Sequence, residues 1–266
     1  MDGFKRTIAD SGLTISALSC HGNPIHPDRG IAAAYDEDMR DAVRLCKELG
    51  LDTITCFSGC AGDGPDSKYP NWVTCPWPDD YLKILDYQWN EVLIPYWKEF
   101  AAFAKENGVT KIALELHPGF MVYNSETLKR LRGSWKGNWV NFDPRPSLWQ
   151  GMDPVSVIRE LKDAIYHVHA KDVKVDSINT AVNGVLDTKH YSNEINRSWI
   201  FRTIGYGNDT AYWKNIFSTL RIIGYDGAVS IEHEDSLINR FEGLEKAVRI
   251  VKESLIMEDK TEMWWA

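Results

Sequence analysis

The regular alternation of strand-type and helix-type segments constrains this 266-residue chain more than any other feature. Runs with period-two apolar patterning recur at LTISALSC (13–20), DTITCFSG (52–59), KIALELH (111–117), NWVNFDP (138–144), IYHVHAKD (165–172), SWIFRTIG (198–205) and GAVSIEHED (227–235). Between them lie helical patterns: 34–50, closing on Gly50; 79–108, one helix or a pair, with Pro95 expected to kink or split it; 125–133; 153–163, with Asp153 as cap and Pro154 in the first turn; 209–225; and 237–257. Strands that each run into a helix form a parallel sheet. This many units predict an α/β fold, a (β/α) TIM-type barrel, in one domain over 1–266. Seven strands are predicted where a closed barrel has eight, and the chain opens on a helix-like MDGFKRTIADSG. The reading is therefore a barrel lacking its first β/α unit. Open strand edges invite pairing, so a second copy of the chain or another partner is expected to cover the gap.

Alternation also assigns faces. In KIALELH, Ile112, Leu114 and Leu116 share one face while Ala113, Glu115 and His117 share the lumen face. The same phasing puts Asn141 and Asp143, then His167, His169 and Lys171, then Ser230, Glu232 and Glu234 on the lumen face of their strands. Glu115, Asp143, His169 and Glu232 thus stand near the C-terminal ends of four strands, where barrel enzymes carry their chemistry. A single glutamate there is commonly a solvated loop carboxylate, and a single strand histidine is commonly a satisfied polar group. Four in phase are different. Three carboxylates close together repel and raise one another's pKa, and a divalent cation removes that conflict. Three carboxylates and an imidazole are ligands for a divalent ion of hard to borderline character.

Composition narrows the partners. The net charge of −8 gains nothing from counterion release on nucleic acid, so DNA or RNA is not expected as a partner. Five unpatterned cysteines, with Cys46 and Cys56 in core segments, read as free thiols of a reducing compartment. There is no apolar run of membrane-spanning length and no apolar signal core, and the chain is expected to be cytoplasmic.

Around the four residues, several side chains are candidates for substrate contact. His117 and Lys171 would stand at the barrel mouth, as would Arg145 and Glu234, and Lys171 could hold an anionic or hydroxyl oxygen; a surface ion pair with Asp172 or Glu234 is the plainer reading. After the first strand, His21 or Asn23 could hydrogen-bond substrate, against a turn merely stiffened by Pro24 and Pro27. Trp72 and Trp77 lie in a proline-rich loop, where Trp77 would wall a sugar face or simply cover a helix. Arg202 is a candidate for a substrate oxygen.

The stretches ALELHPG, FDP followed by WQGMDP, HVHAKD and SIEHEDS resemble the xylose isomerase-like TIM barrel superfamily, and more narrowly its sugar phosphate isomerase/epimerase group. The resemblance implies that Glu115, Asp143, His169 and Glu232 bind one divalent metal ion, Mn²⁺ in the first place, with Mg²⁺, Co²⁺ or Zn²⁺ compatible with the same ligands. It implies Glu115 and Glu232 as an acid/base pair. Relatives in that group often carry Asp-Pro-x-His; here Pro146 holds the histidine position, which speaks against a second metal. The expected activity is metal-dependent isomerisation or epimerisation of a keto-sugar by proton transfer through an enediolate. Two alternatives stay open: a lyase acting on an inosose or 3-keto-glycoside through the same site, and a non-catalytic metal-binding subunit of a larger complex.

Overall fold

The computed structural model describes residues 2–134 and 138–265, apart from the side chains of Asp2, Asn138 and Trp139. The chain forms two compact units. The first comprises residues 1–146, 163–168 and 227–229, and the second 147–162, 169–226 and 230–266. Strands β1 (Leu18–Cys20), β2 (Thr53–Cys56), β3 (Lys111–Glu115), β4 (Asn138–Phe142), β5 (Ile165–Ala170) and β8 (Val229–Ile231) follow one another in a six-stranded sheet. The ladders from β1 through β5 are parallel.

In the first unit, helix α1 (Asp2–Asp10) precedes β1, and helices α2 (Arg29–Leu49), α3 (Asp80–Tyr87), α4 (Ile94–Glu106) and α5 (Ser125–Ser134) connect the strands from β1 to β4. Helix α2 starts earlier than its apolar pattern suggests because Asp28 caps it, accepting from the amides of Gly30 and Ile31. It stops at Gly50, whose φ of 75° is the left-handed conformation that glycine adopts without steric cost. The expected break near Pro95 takes the form of a π-helical segment, Gln88–Leu93, joining α3 to α4. Pro95 has no N–H to give, and the wider turn accommodates the lost bond, with the Ile94 amide reaching back to Trp89 O. That segment buries Gln88, whose amide donates to the carbonyls of Ala61, Gly62 and Asn71 and so fixes the loop after β2.

Both faces of β2 and β3 are buried, as expected where helices cover a parallel sheet. Trp97 and Phe100 of α4 are fully buried, each contributing roughly 1.5–3 kcal/mol by removal from water. The indole of Trp97 donates to Ser58 O at 3.0 Å. All five cysteines are free, and Cys46 and Cys56 are buried as expected. Burial pushes the Cys46 thiol up to about 11 and the Cys60 thiol up to about 12, which keeps both protonated and unreactive.

The second unit holds helices α6 (Pro144–Trp149, its last three residues), α7 (Pro154–Glu160), α8 (Ser177–Asn183), α9 (Thr210–Ile222) and α10 (Arg240–Ser254). Here the strand count changes. The segment expected as the sixth barrel strand is β7 (Trp199–Arg202), and it pairs antiparallel with β6 (Asp172–Val175) in a separate ribbon. Period-two patterning marks a strand but does not state its partner. The ribbon has its own core of Trp149, Val173 and Trp199, with the two indoles stacked 4.8 Å apart. Asp172 ties it down. One carboxylate oxygen accepts from the amides of Gly205, Gly207 and Asn208, and the other from Val173 N and Asn208 Nδ2. Among the described residues, no helix is long and apolar enough to cross a membrane.

This clamp gives a direct test. A Cβ on Gly207 would lie 2.5 Å from Val173 O and 2.6 Å from Asp172 Oδ1, whereas one on Gly133 would meet nothing within 4 Å. Gly207→Ala should lower unfolding stability by about 1–3 kcal/mol. Gly133→Ala, inside α5, should raise it by roughly 0.5–1 kcal/mol, both read from urea unfolding. Equal effects of the two substitutions would contradict this account.

Candidate metal centre

The first unit carries Glu115 and Asp143. Glu115 is the last residue of β3, in register with Asn141 of β4, and only 2% of it is exposed. Asp143 follows β4 directly and is also buried. Buried carboxylates need partners, and Arg145 supplies one to both. Its Nη2 lies 3.0 Å from Glu115 Oε1 and 2.8 Å from Asp143 Oδ2, and its backbone amide donates to Asp143 Oδ1. His21 Nε2 stands 3.4 Å from the other Glu115 oxygen. Behind them, His167 Nδ1 lies 3.1 Å from Asn141 Oδ1, with Ser16 Oγ 3.4 Å from its Nε2. An aromatic group of His21, Phe57, His117 and Phe120 adjoins, with the His21 and Phe57 ring centroids 4.5 Å apart and those of Phe57 and His117 4.9 Å apart.

The second unit carries His169 and Glu232. His169 belongs to β5, and Glu232 follows β8 with its amide donating to Ala170 O. His169 Nδ1 is 3.3 Å from Glu232 Oε2. Lys171 lies 3.3 Å from Glu232 Oε1 and 2.5 Å from Glu234 Oε2. The expected pairing of Lys171 with Glu234 is therefore present, though Lys171 is buried and takes in Glu232 as well.

Each unit thus carries residues of ligand type, Glu115 and Asp143 in the first and His169 and Glu232 in the second. A carboxylate beside an imidazole, as Glu232 beside His169, suits a divalent cation of hard to borderline character. The Asp143 carboxylate is held by Arg145.

Other candidates settle into structural bonds. Asn23 is committed at both ends of its amide, donating to Cys60 O and accepting from Cys60 N, so it braces the loop after β2. Arg202 is tied to Asp235, with Nε 3.2 Å from Oδ2. Trp77 is 75% exposed. Arg145 was expected to stand further out at the mouth. That extrapolated the strand's alternation past Pro144, where helix α6 begins and turns the side chain back onto Glu115 and Asp143. Asp235, which sequence reasoning did not single out, accepts from Thr203 N and Leu237 N as well as Arg202. Nothing in the alternating pattern marks it.

A family model described as "Xylose isomerase-like TIM barrel" matches residues 1–254. The chain belongs to the xylose isomerase-like TIM barrel family. The chain is 40% identical over 258 residues to protein YfiH of Bacillus subtilis (strain 168), covering 95% of this chain and 81% of that one. It is 26% identical over 168 residues to an inosose dehydratase of Geobacillus thermodenitrificans (strain NG80-2), covering 62% of this chain and 54% of that enzyme. Among solved structures, the 3-keto-D-glucoside 4-epimerase of E. coli matches with a TM-score of 0.64 at 13% identity, over 95% of this chain and 84% of the other, a likeness of fold.

The Asp235 clamp has a pH signature. Burial alone would push its carboxyl up, but the amides of Thr203 and Leu237 and the Arg202 guanidinium outweigh this and hold it below the usual carboxylate range. A carboxyl lowered by folding stabilises the fold above its unfolded pKa and loses that contribution as pH falls through the lowered value. Asp235→Asn should therefore cost about 1–3 kcal/mol at neutral pH. The gap from the parent should shrink steadily below the ordinary carboxylate pKa in urea unfolding; a gap independent of pH would contradict the assignment.

Proposed function

We propose that this family member is a carbohydrate isomerase or epimerase that moves a proton next to a carbonyl, with Glu115 and Glu232 as the acid/base pair. The observation that carries this reading is that each unit sets a glutamate among charged partners, Glu115 with Arg145 and Asp143 in the first and Glu232 with His169 and Lys171 in the second. When bound, a divalent cation would supply Lewis acidity toward a carbonyl oxygen. Glu115, His169 and Glu232 would hold it, with Asp143 as the adjoining carboxylate.

The chain's own groups supply the rest. Glu115 is aimed by Arg145 on one oxygen and faced by His21 on the other. Glu232 is aimed by Lys171 and faced by His169. A glutamate fixed in this way can take a proton from carbon, and a second one can return it. Return to the opposite face of the same carbon inverts it; return to the neighbouring carbon isomerises the sugar. The Phe57, His117 and Phe120 rings offer an apolar wall beside Glu115, suited to a sugar face. Sequence similarity to an inosose dehydratase supports a second reading, in which the same enediolate expels a leaving group and Lys171 or His117 is the candidate acid.

General acid–base catalysis contributes about 10²–10⁴-fold. Glu115→Gln and Glu232→Gln should each reduce turnover of a keto-sugar by at least about 100-fold. Proton exchange at carbon, followed by NMR in D₂O across ketoses, inososes and 3-keto-glycosides, is the measurement. Exchange without loss of a group identifies the isomerase or epimerase, and exchange with elimination identifies the lyase. Either variant retaining activity within about tenfold of the parent removes that glutamate from the acid–base step.

A further inference from the structure

Arg145 aims Glu115, and its charge also reaches Asp143. Its side chain is 3% exposed, and a single nitrogen, Nη2, lies within 3.0 Å of Glu115 and 2.8 Å of Asp143. The backbone reinforces the arrangement: its amide donates to Asp143 Oδ1 at 2.8 Å, and Pro144 and Pro146 flank it at the start of α6. A guanidinium remains charged at every accessible pH. It therefore cannot yield to another cation by losing a proton.

We propose that Arg145 is a resident counter-cation that competes with the divalent ion for Glu115 and Asp143. This inference rests on the metal reading above and adds to it. Without metal, Arg145 offsets the repulsion between two buried carboxylates, so the site stays formed. With metal, Glu115 must divide its charge between Arg145 and the ion, and a fixed positive charge remains beside a doubly charged one. Both effects weaken binding relative to the same donors without the guanidinium. The consequence is a site that is stable when empty and loads only at higher metal concentration. A merely structural ion pair would leave metal affinity unmoved.

The test is calorimetric titration of the metal-stripped full chain with Mn²⁺ at neutral pH and low salt, comparing the parent with Arg145→Gln and Arg145→Lys. Arg145→Gln should bind Mn²⁺ at least tenfold more tightly than the parent. Arg145→Lys, which keeps the charge, should stay within about threefold. Without metal, Arg145→Gln should melt below the parent, and Mn²⁺ should restore most of the difference. If Arg145→Gln folds only when Mn²⁺ is present, the same competition is shown in its strongest form; if Mn²⁺ does not rescue it, the inference fails. Equal or weaker binding by Arg145→Gln, beside clear binding by the parent, overturns the competition and leaves the metal reading standing. Absence of Mn²⁺ binding in all three folded proteins overturns the metal reading and this inference together.

Discussion

Buried charges have to be neutralised, and both compact units of this chain do so by pairing one buried cation with two carboxylates, buried in the first unit and partly exposed in the second. In the first, Arg145 bridges Glu115 and Asp143; in the second, Lys171 bridges Glu232 and Glu234. Both basic side chains are 3% exposed, and each stands two residues after a residue of ligand type, Asp143 or His169. An unpaired charge at such depth costs several kcal/mol, so removing either cation reaches well beyond one contact. The same arithmetic makes these positions attractive to a divalent ion. Charge that the fold must already compensate is charge that a cation can use.

Secondary structure places these charges. Glu115 ends β3 and Asp143 follows β4, strands in parallel register through Glu115 and Asn141, so two carboxylates emerge side by side without any long-range search. The supporting elements are rigid for separate reasons. Asp28 and Gly50 bound α2, the π-helical turn before Pro95 seats Gln88 on three loop carbonyls, and Asp172 gathers the ribbon turn on five donors. Groups that aim a carboxylate to within a fraction of an ångström need such backing.

The family, the strand–helix alternation and the positions of Glu115, His169 and Glu232 at strand ends were legible in the amino-acid sequence, because period-two patterning reports both strand and face. What it cannot report is partnership. Trp199–Arg202 has the pattern of a sheet strand, yet it pairs with Asp172–Val175 in a ribbon held by stacked Trp149 and Trp199. Asn23 and Arg202 have side chains suited to substrate, but the fold spends them on Cys60 and Asp235, choices that depend on residues more than 30 positions away. Arg145 was misplaced for a local reason: the two-residue rule of a strand ends where Pro144 opens a helix.

The central claim is that one cation binds with His169 among its ligands, and pulsed electron paramagnetic resonance of the Mn²⁺-loaded chain addresses it most directly. The account expects one Mn²⁺ per chain, coupled to the nitrogen of a single imidazole, with the coupling absent in His169→Gln. A bound Mn²⁺ without nitrogen coupling, or a coupling that survives His169→Gln, would contradict it.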